Sequence, residues 1–185
     1  MKNLNIGCGE FRKKGYINLD MNNKVKPDVV HDLNKFPYPF KNNDFDLVEA
    51  NHVLEHVEDP FKVMKELNRI MKYNGTLIIR VPHFSRGFTH ADHKRGFDVS
   101  FPYYFNPEYK GGYTGTNFKL EKIRLHWFGQ KYLMKSLLSK PAYYVSLVLG
   151  KFLDFFANLN VYLCSRLWCF WVGGFYEVEF YFVKK

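Results

Sequence analysis

The chain has 185 residues, a formal net charge of +9, an apolar fraction of 46% and an aromatic fraction of 19%. That length suits one domain with a sizeable core, and so many aromatics exclude a disordered chain. The three cysteines, Cys8, Cys164 and Cys169, exclude a disulfide framework and point to a reducing compartment, the cytoplasm.

Lys2 to Ile6 reads as a first strand, and no signal peptide is expected ahead of it. Gly7-Cys8-Gly9 follows. Two glycines let the backbone turn sharply and pass close to a ligand. Tyr16 to Asp20 reads as a second strand. An acid at that strand end, Asp20, is placed to accept hydrogen bonds from both hydroxyls of a ribose. The plain alternative is a tight turn and an exposed acid. Asp28 to Leu33 predicts a third strand with Asp32 near its end, and Phe36 to Phe40 an extended Pro-rich loop.

Phe45 to Ala50 predicts a fourth strand. A helix follows, with Asp59 as its N-cap and Pro60 at its first position. Its apolar stripe is Phe61, Met64, Leu67 and Met71, and Gly75 is expected as its left-handed stop. Thr76 to Val81 is nearly continuous in apolar residues, which predicts a parallel strand buried on both faces. Pro82 to Pro107 has little periodicity and reads as a lid or binding loop. Phe118 to Trp127 reads as a strand, Lys131 to Trp171 as apolar helix, and Glu177 to Val183 as a last strand.

Strands alternating with crossovers imply an α/β fold with a parallel, doubly wound sheet, in which ligands bind beyond the C-terminal strand ends. Gly7, Gly9, Asp20, Asp32, Asn51 and His83 all fall at that edge.

Leu4 to Gly9, Phe45 to His56, Asp59-Pro60, Glu66 to Met71 and Asn74-Gly75 together resemble the class I S-adenosylmethionine-dependent methyltransferases of the type 11 kind. The resemblance runs from about Met1 to Pro82 and continues loosely through Asp92-His93 and Trp168 to Tyr176. It implies a single Rossmann-like methyltransferase domain over residues 1–185. Residues 1–82 would be the cofactor-binding half, and residues 83–185 the substrate loop, the aromatic-rich C-terminal helical segment and the last strands of a mostly parallel seven-stranded sheet. It also implies S-adenosylmethionine as cofactor. Gly7, Cys8 and Gly9 would pass under its methionine part, Asp20 would hold the ribose, Asp32 and Leu33 would contact adenine, and Asn51 would offer its backbone beside the methionine or sulfonium portion. Two positions depart from the pattern: Asn5 stands where the family usually has an acid, and Phe11 where a third glycine is common.

A general base is needed only for a hydroxyl or protonated amine acceptor. His52, Glu55, His56, His83, His90, Asp92 and His93 have suitable chemistry, and His83, His90, Asp92 and His93 are the catalytic candidates. The same four have metal-ligand chemistry, but their spacing matches no metal motif and no metal is expected. The expected acceptor is an O or N atom of a small molecule, a sugar or a lipid-linked compound.

Lys110 to Lys151 holds eight Lys/Arg and one acid, and Phe152 to Phe182 holds twelve aromatics. The aromatic stretch reads as core over the sheet, as a membrane-interface segment, or as a homodimer surface. Two further alternatives stay open: an RNA methyltransferase, suggested by charge although no pure Lys/Arg run is present, and a degenerate cofactor-binding partner subunit, suggested by Asn5 and Phe11.

Overall fold

A computed structural model describes residues 1–86 and 90–185. Seven strands make one sheet: β1 (Asn3–Ile6), β2 (Tyr16–Asp20), β3 (Val29–Val30), β4 (Phe45–Asn51), β5 (Met71–Pro82), β6 (Phe118–His126) and β7 (Glu177–Lys184), in the order β3-β2-β1-β4-β5-β7-β6. The first five positions across the sheet are parallel. β7 runs antiparallel to both neighbours. This is the expected Rossmann-like, mostly parallel arrangement.

Helix α1 (Pro60–Ile70) forms where the stripe predicts it. Asp59 caps it, its carboxylate accepting from the amides of Phe61 at 2.9 Å and Lys62 at 3.2 Å. Val63, Met64, Leu67 and Ile70 are its fully buried face, each contributing about 1.5–3 kcal/mol by leaving water. The helix does not stop on Gly75. It passes at Met71 directly into β5, and the left-handed residue is Asn74, with φ 62°. Gly75 serves a different need, because a Cβ there would come within 2.8 Å of the Lys72 carbonyl and 3.2 Å of the Asp46 carbonyl. The third strand is also shorter than Asp28 to Leu33 predicts. Asp28 leaves the ladder because its carboxylate accepts from the Asn18 amide at 2.8 Å and from the Asn18 side chain at 2.9 Å.

β5 corrects the expectation of burial on both faces. Its residues alternate, with Leu77, Ile79 and Val81 buried and Thr76, Ile78 and Arg80 partly open. Cross-strand register extends that alternation over the sheet. Leu4, Val48, Leu77 and Phe182 form one apolar row, and Ile6, Ala50, Ile79 and Phe180 the next. Phe101 and Phe105, on a short 3₁₀ helix (Phe101–Phe105), pack on Phe180 and Phe182 with ring centres 5.8 and 5.9 Å apart. The opposite face is polar. Asn18, Asn5 and Glu49 are in register, as are Asn51, Arg80, Glu179 and Arg124. Arg80 meets Glu179 at 2.5 Å, Tyr16 donates to Glu49 at 2.6 Å, and Lys13 pairs with Glu49. This ionic layer covers the strands from that side.

The C-terminal helical segment divides into α2 (Lys131–Leu137), α3 (Lys140–Ala157) and α4 (Val161–Arg166). It is only partly core. Within α3, Gly150 and Ala157 are buried, whereas Val145, Val148, Phe152 and Phe155 are 60–70% exposed. Among the described residues no helix is long and apolar enough to cross a membrane.

Candidate functional site

The turn after β1 is held from both sides. Gly7 has φ 60° and Gly9 φ 50°, left-handed values that favour glycine. A Cβ on Gly7 would run into the Val53 side chain, while the space above Gly9 is open. The Cys8 amide donates to the Leu19 carbonyl at 3.1 Å, and the Gly9 amide to Asp20 Oδ2 at 2.8 Å. The other oxygen of Asp20 accepts from the Asn22 amide at 2.8 Å. Burial, with Asp20 nearby, pushes the Cys8 thiol up, so it stays protonated. Asn5 gains a physical account: its Nδ2 donates to the Phe11 carbonyl at 3.1 Å and to Asn18 Oδ1 at 3.1 Å. A carboxylate at that position has no proton to donate to a carbonyl.

Two cavities meet at Gly7 and His52. The smaller, about 240 Å³, is lined by Asp20, Asp32, Leu33, His31 and His56. The larger, about 740 Å³, lies against the polar sheet face and takes in Gly7, Cys8, Gly9 and Asn51. All seven residues singled out in the sequence for the cofactor line one of two adjoining cavities at the C-terminal strand edge.

The larger cavity also contains residues that sequence reasoning passed over: Glu177, Glu179, Arg80, His126, Gln130 and Tyr132. Two acids at alternate positions of an otherwise apolar last strand were the available signal. Glu177 accepts from the Gln130 amide at 2.6 Å and bonds His52 Nε2 at 3.0 Å. Burial alone would depress the His52 ring, but Glu177 and Glu55 outweigh it and hold its pKa at about 9. His126 is raised to about 9 in the same way by Asp154 and Glu179. Both rings are cations at neutral pH. Tyr132 of α2 packs on Phe11, ring centres 4.4 Å apart, and closes one side of the cavity.

The four catalytic candidates separate. His83 is fully buried, its ring nitrogens bonded to Ser85 Oγ at 2.7 Å and Ser165 Oγ at 2.9 Å. Burial pushes its pKa down to about 4, and it lines neither cavity at this edge. The structure thus makes His83 a neutral packing residue. His90, Asp92 and His93 come together instead beside Glu55 and His56, with the His90 and His93 rings 5.0 Å apart and the His56 and His93 rings also 5.0 Å apart. Residues 87–89 of the expected lid lie outside the described residues.

Residues 4–79 match the family model described as "Methyltransferase domain". An uncharacterised protein of Methanocaldococcus jannaschii is 28% identical over 92 residues; the match covers 42% of this chain and 42% of that protein, so it spans less than half of the relative. Two solved structures share the fold over 99% of this chain. One is an S-adenosylmethionine-dependent methyltransferase from Mesorhizobium loti (TM-score 0.59, 12% identity, 90% of that chain). The other is a SAM-dependent methyltransferase from Archaeoglobus fulgidus (TM-score 0.58, 18% identity, 86% of that chain). The family match falls on residues 4–79, the part of the chain that carries most of the resemblance to class I methyltransferases of the type 11 kind, and the fold is shared with the two solved structures over 99% of this chain.

Proposed function

We propose that the chain transfers a methyl group from S-adenosylmethionine to an oxygen or nitrogen atom of a small-molecule, sugar or lipid-linked acceptor. The observation that carries this is the glycine turn locked onto Asp20, itself within the segment matched by the methyltransferase model, which opens on two adjoining cavities. Asp20 and Asp32 would take the nucleoside end, and Gly7 to Gly9 with Asn51 the methionine end. Bound there, the cofactor supplies an activated methyl group for in-line displacement.

The chain's own contribution is orientation and charge placement. His52 is already protonated and so is a cationic wall, not a base. Proton acceptance from a hydroxyl or amine is assigned to the His90, Asp92 and His93 group, which stands next to His56 at the rim of the smaller cavity.

A specific observation favours a lipid-linked acceptor. Val145, Val148, Phe152, Phe155 and Leu159 repeat at three- and four-residue spacing and are all 60–70% exposed, and Trp171 is 83% exposed. Lys140, Lys151 and Arg166 lie along the same segment and are exposed. Apolar and aromatic side chains with flanking cations suit an anionic bilayer interface.

Calorimetry with S-adenosylmethionine and transfer of a labelled methyl group to candidate acceptors test the reading. Absence of binding at millimolar cofactor in a folded sample sinks it. Binding without transfer to any acceptor supports the non-catalytic partner subunit, and a salt-dependent gel shift with RNA supports the RNA alternative.

A further inference from the structure

We propose that Glu55, His56 and His93 bind a first-row divalent metal ion at the rim of the cofactor cavities. Glu55 is fully buried, and neither of its carboxylate oxygens has a hydrogen-bond partner. A buried carboxylate without donors is costly, and the cationic His52 ring beside it is shared with Glu177, so one positive charge serves two buried acids. Among the described residues, His52 is the ring nearest to it, with Nδ1 3.2 Å from Oε1 but not aligned to hydrogen-bond. That ring is already bonded to a second buried carboxylate, Glu177. One imidazole is therefore set between two acids.

The other neighbours have ligand chemistry. One donor atom each from Glu55, His56 and His93 lies within 4.8 Å of the other two, and His93 Nε2 is 3.9 Å from Glu55 Oε1. Donor atoms around one tetrahedral ion with bonds of about 2.0 Å stand about 3.3 Å apart, so side-chain rotation closes the set. Two imidazoles and one carboxylate suit zinc, iron, cobalt or nickel, and three protein ligands leave coordination positions open. His90 and Asp92 form a second group with His93 inside the same 4.8 Å limit, and supply further ligands or partners.

The two halves of the site come from separate segments that are fastened together. The Lys94 amide donates to the Glu55 carbonyl at 2.9 Å. The Arg95 guanidinium donates to the carbonyls of Val57 at 2.7 Å and Glu58 at 2.9 Å. These bonds hold the 93–95 strand of chain against the turn that carries Glu55 and His56, as a preorganised metal site requires.

Metal binding stands independently of the methyl-transfer reading; only the ion's use rests on it. At the rim of the smaller cavity, open positions on the ion would take a hydroxyl, carbonyl or carboxylate oxygen of the acceptor. That points to acceptors with oxygen donors.

Cobalt(II) titration of chelator-treated protein, followed by visible ligand-field absorption, with zinc competition, tests the proposal. We expect one ion per chain, with binding weakened at least about tenfold in His93→Ala and in His56→Ala. His56 is partly exposed, so that variant should fold, which thermal denaturation checks. Absence of cobalt binding, or equal binding by wild type and both variants, overturns the site. Cofactor calorimetry on the same samples separates this failure from failure of the methyltransferase reading.

Discussion

His52 Nε2 and Glu177 Oε1 are 3.0 Å apart across 125 residues of sequence, joining the turn after β4 to the first residue of β7. This bond sets the wall of the larger cavity and ties the antiparallel end of the sheet to its parallel half. Glu177→Gln removes the charge and keeps an amide of similar shape. We expect it to lose about 1.5–3 kcal/mol of stability in urea denaturation, the size of a charged hydrogen bond. The His52 pKa, followed by NMR, should fall from about 9.

Stability should also fall as pH rises. His52 and His126 both have folded pKa values of about 9, above the usual 6.5. Between pH 6.5 and 9 the folded chain therefore holds more protons than the unfolded one, so their contribution is complete below 6.5 and lost on passing through 9. His126→Gln should flatten part of that slope. His83 works in the opposite direction: its pKa of about 4 lies below 6.5, so it contributes a loss of stability as pH falls from 6.5 to 4. Urea midpoints from pH 4 to pH 9.5 check both signs.

Asp20→Ala should weaken S-adenosylmethionine binding by about 100-fold or more. It removes the acceptor for the Gly9 and Asn22 amides and the expected ribose contact, and each charge-assisted hydrogen bond is worth about 1.5–3 kcal/mol. Calorimetry reads the change, and Asp20→Asn should retain an intermediate affinity.

Gly7→Ala introduces a Cβ at φ 60° that meets Val53. A left-handed alanine costs about 1–2 kcal/mol before the clash is counted. Adding Val53→Ala should remove the closest contact, that with Val53 Cγ2, but neither the contact with the residue-53 Cβ at 2.8 Å nor the backbone cost. A double-mutant cycle on thermal stability should therefore show positive coupling between the two sites.

The outward stripe of α3 gives a test of the lipid reading. Trp171 fluorescence should shift to the blue on adding anionic vesicles and not with neutral ones. Phe152→Glu with Phe155→Glu should abolish the shift while leaving cofactor binding intact. Equal response to both vesicle types, or a concentration-dependent dimer lost in the same variant, would instead assign this face to another use.

Local chemistry made much of this readable before folding was considered. Helix α1 followed from a capping Asp, a proline and an apolar stripe, all within one short segment. The turn at Gly7 to Gly9 and the acid at Asp20 followed from the conformational freedom of glycine and the polarity of a strand end. Contacts between distant segments were not readable. Nothing near His83 in sequence announces Ser165 on α4, which turns a candidate base into a neutral buried ring. Glu55 and His93 are separated by 38 positions, and only the loop fastened by Arg95 brings them side by side. The apolar run of β5 predicted two buried faces, yet register placed Arg80 opposite Glu179 and gave one face to ions. Sequence by itself determined most of the strands, the helix and the glycine turn, since those depend on neighbours a few residues away. Tertiary structure decided which side chains face one another, and with that the charge, burial and partners on which the chemistry depends.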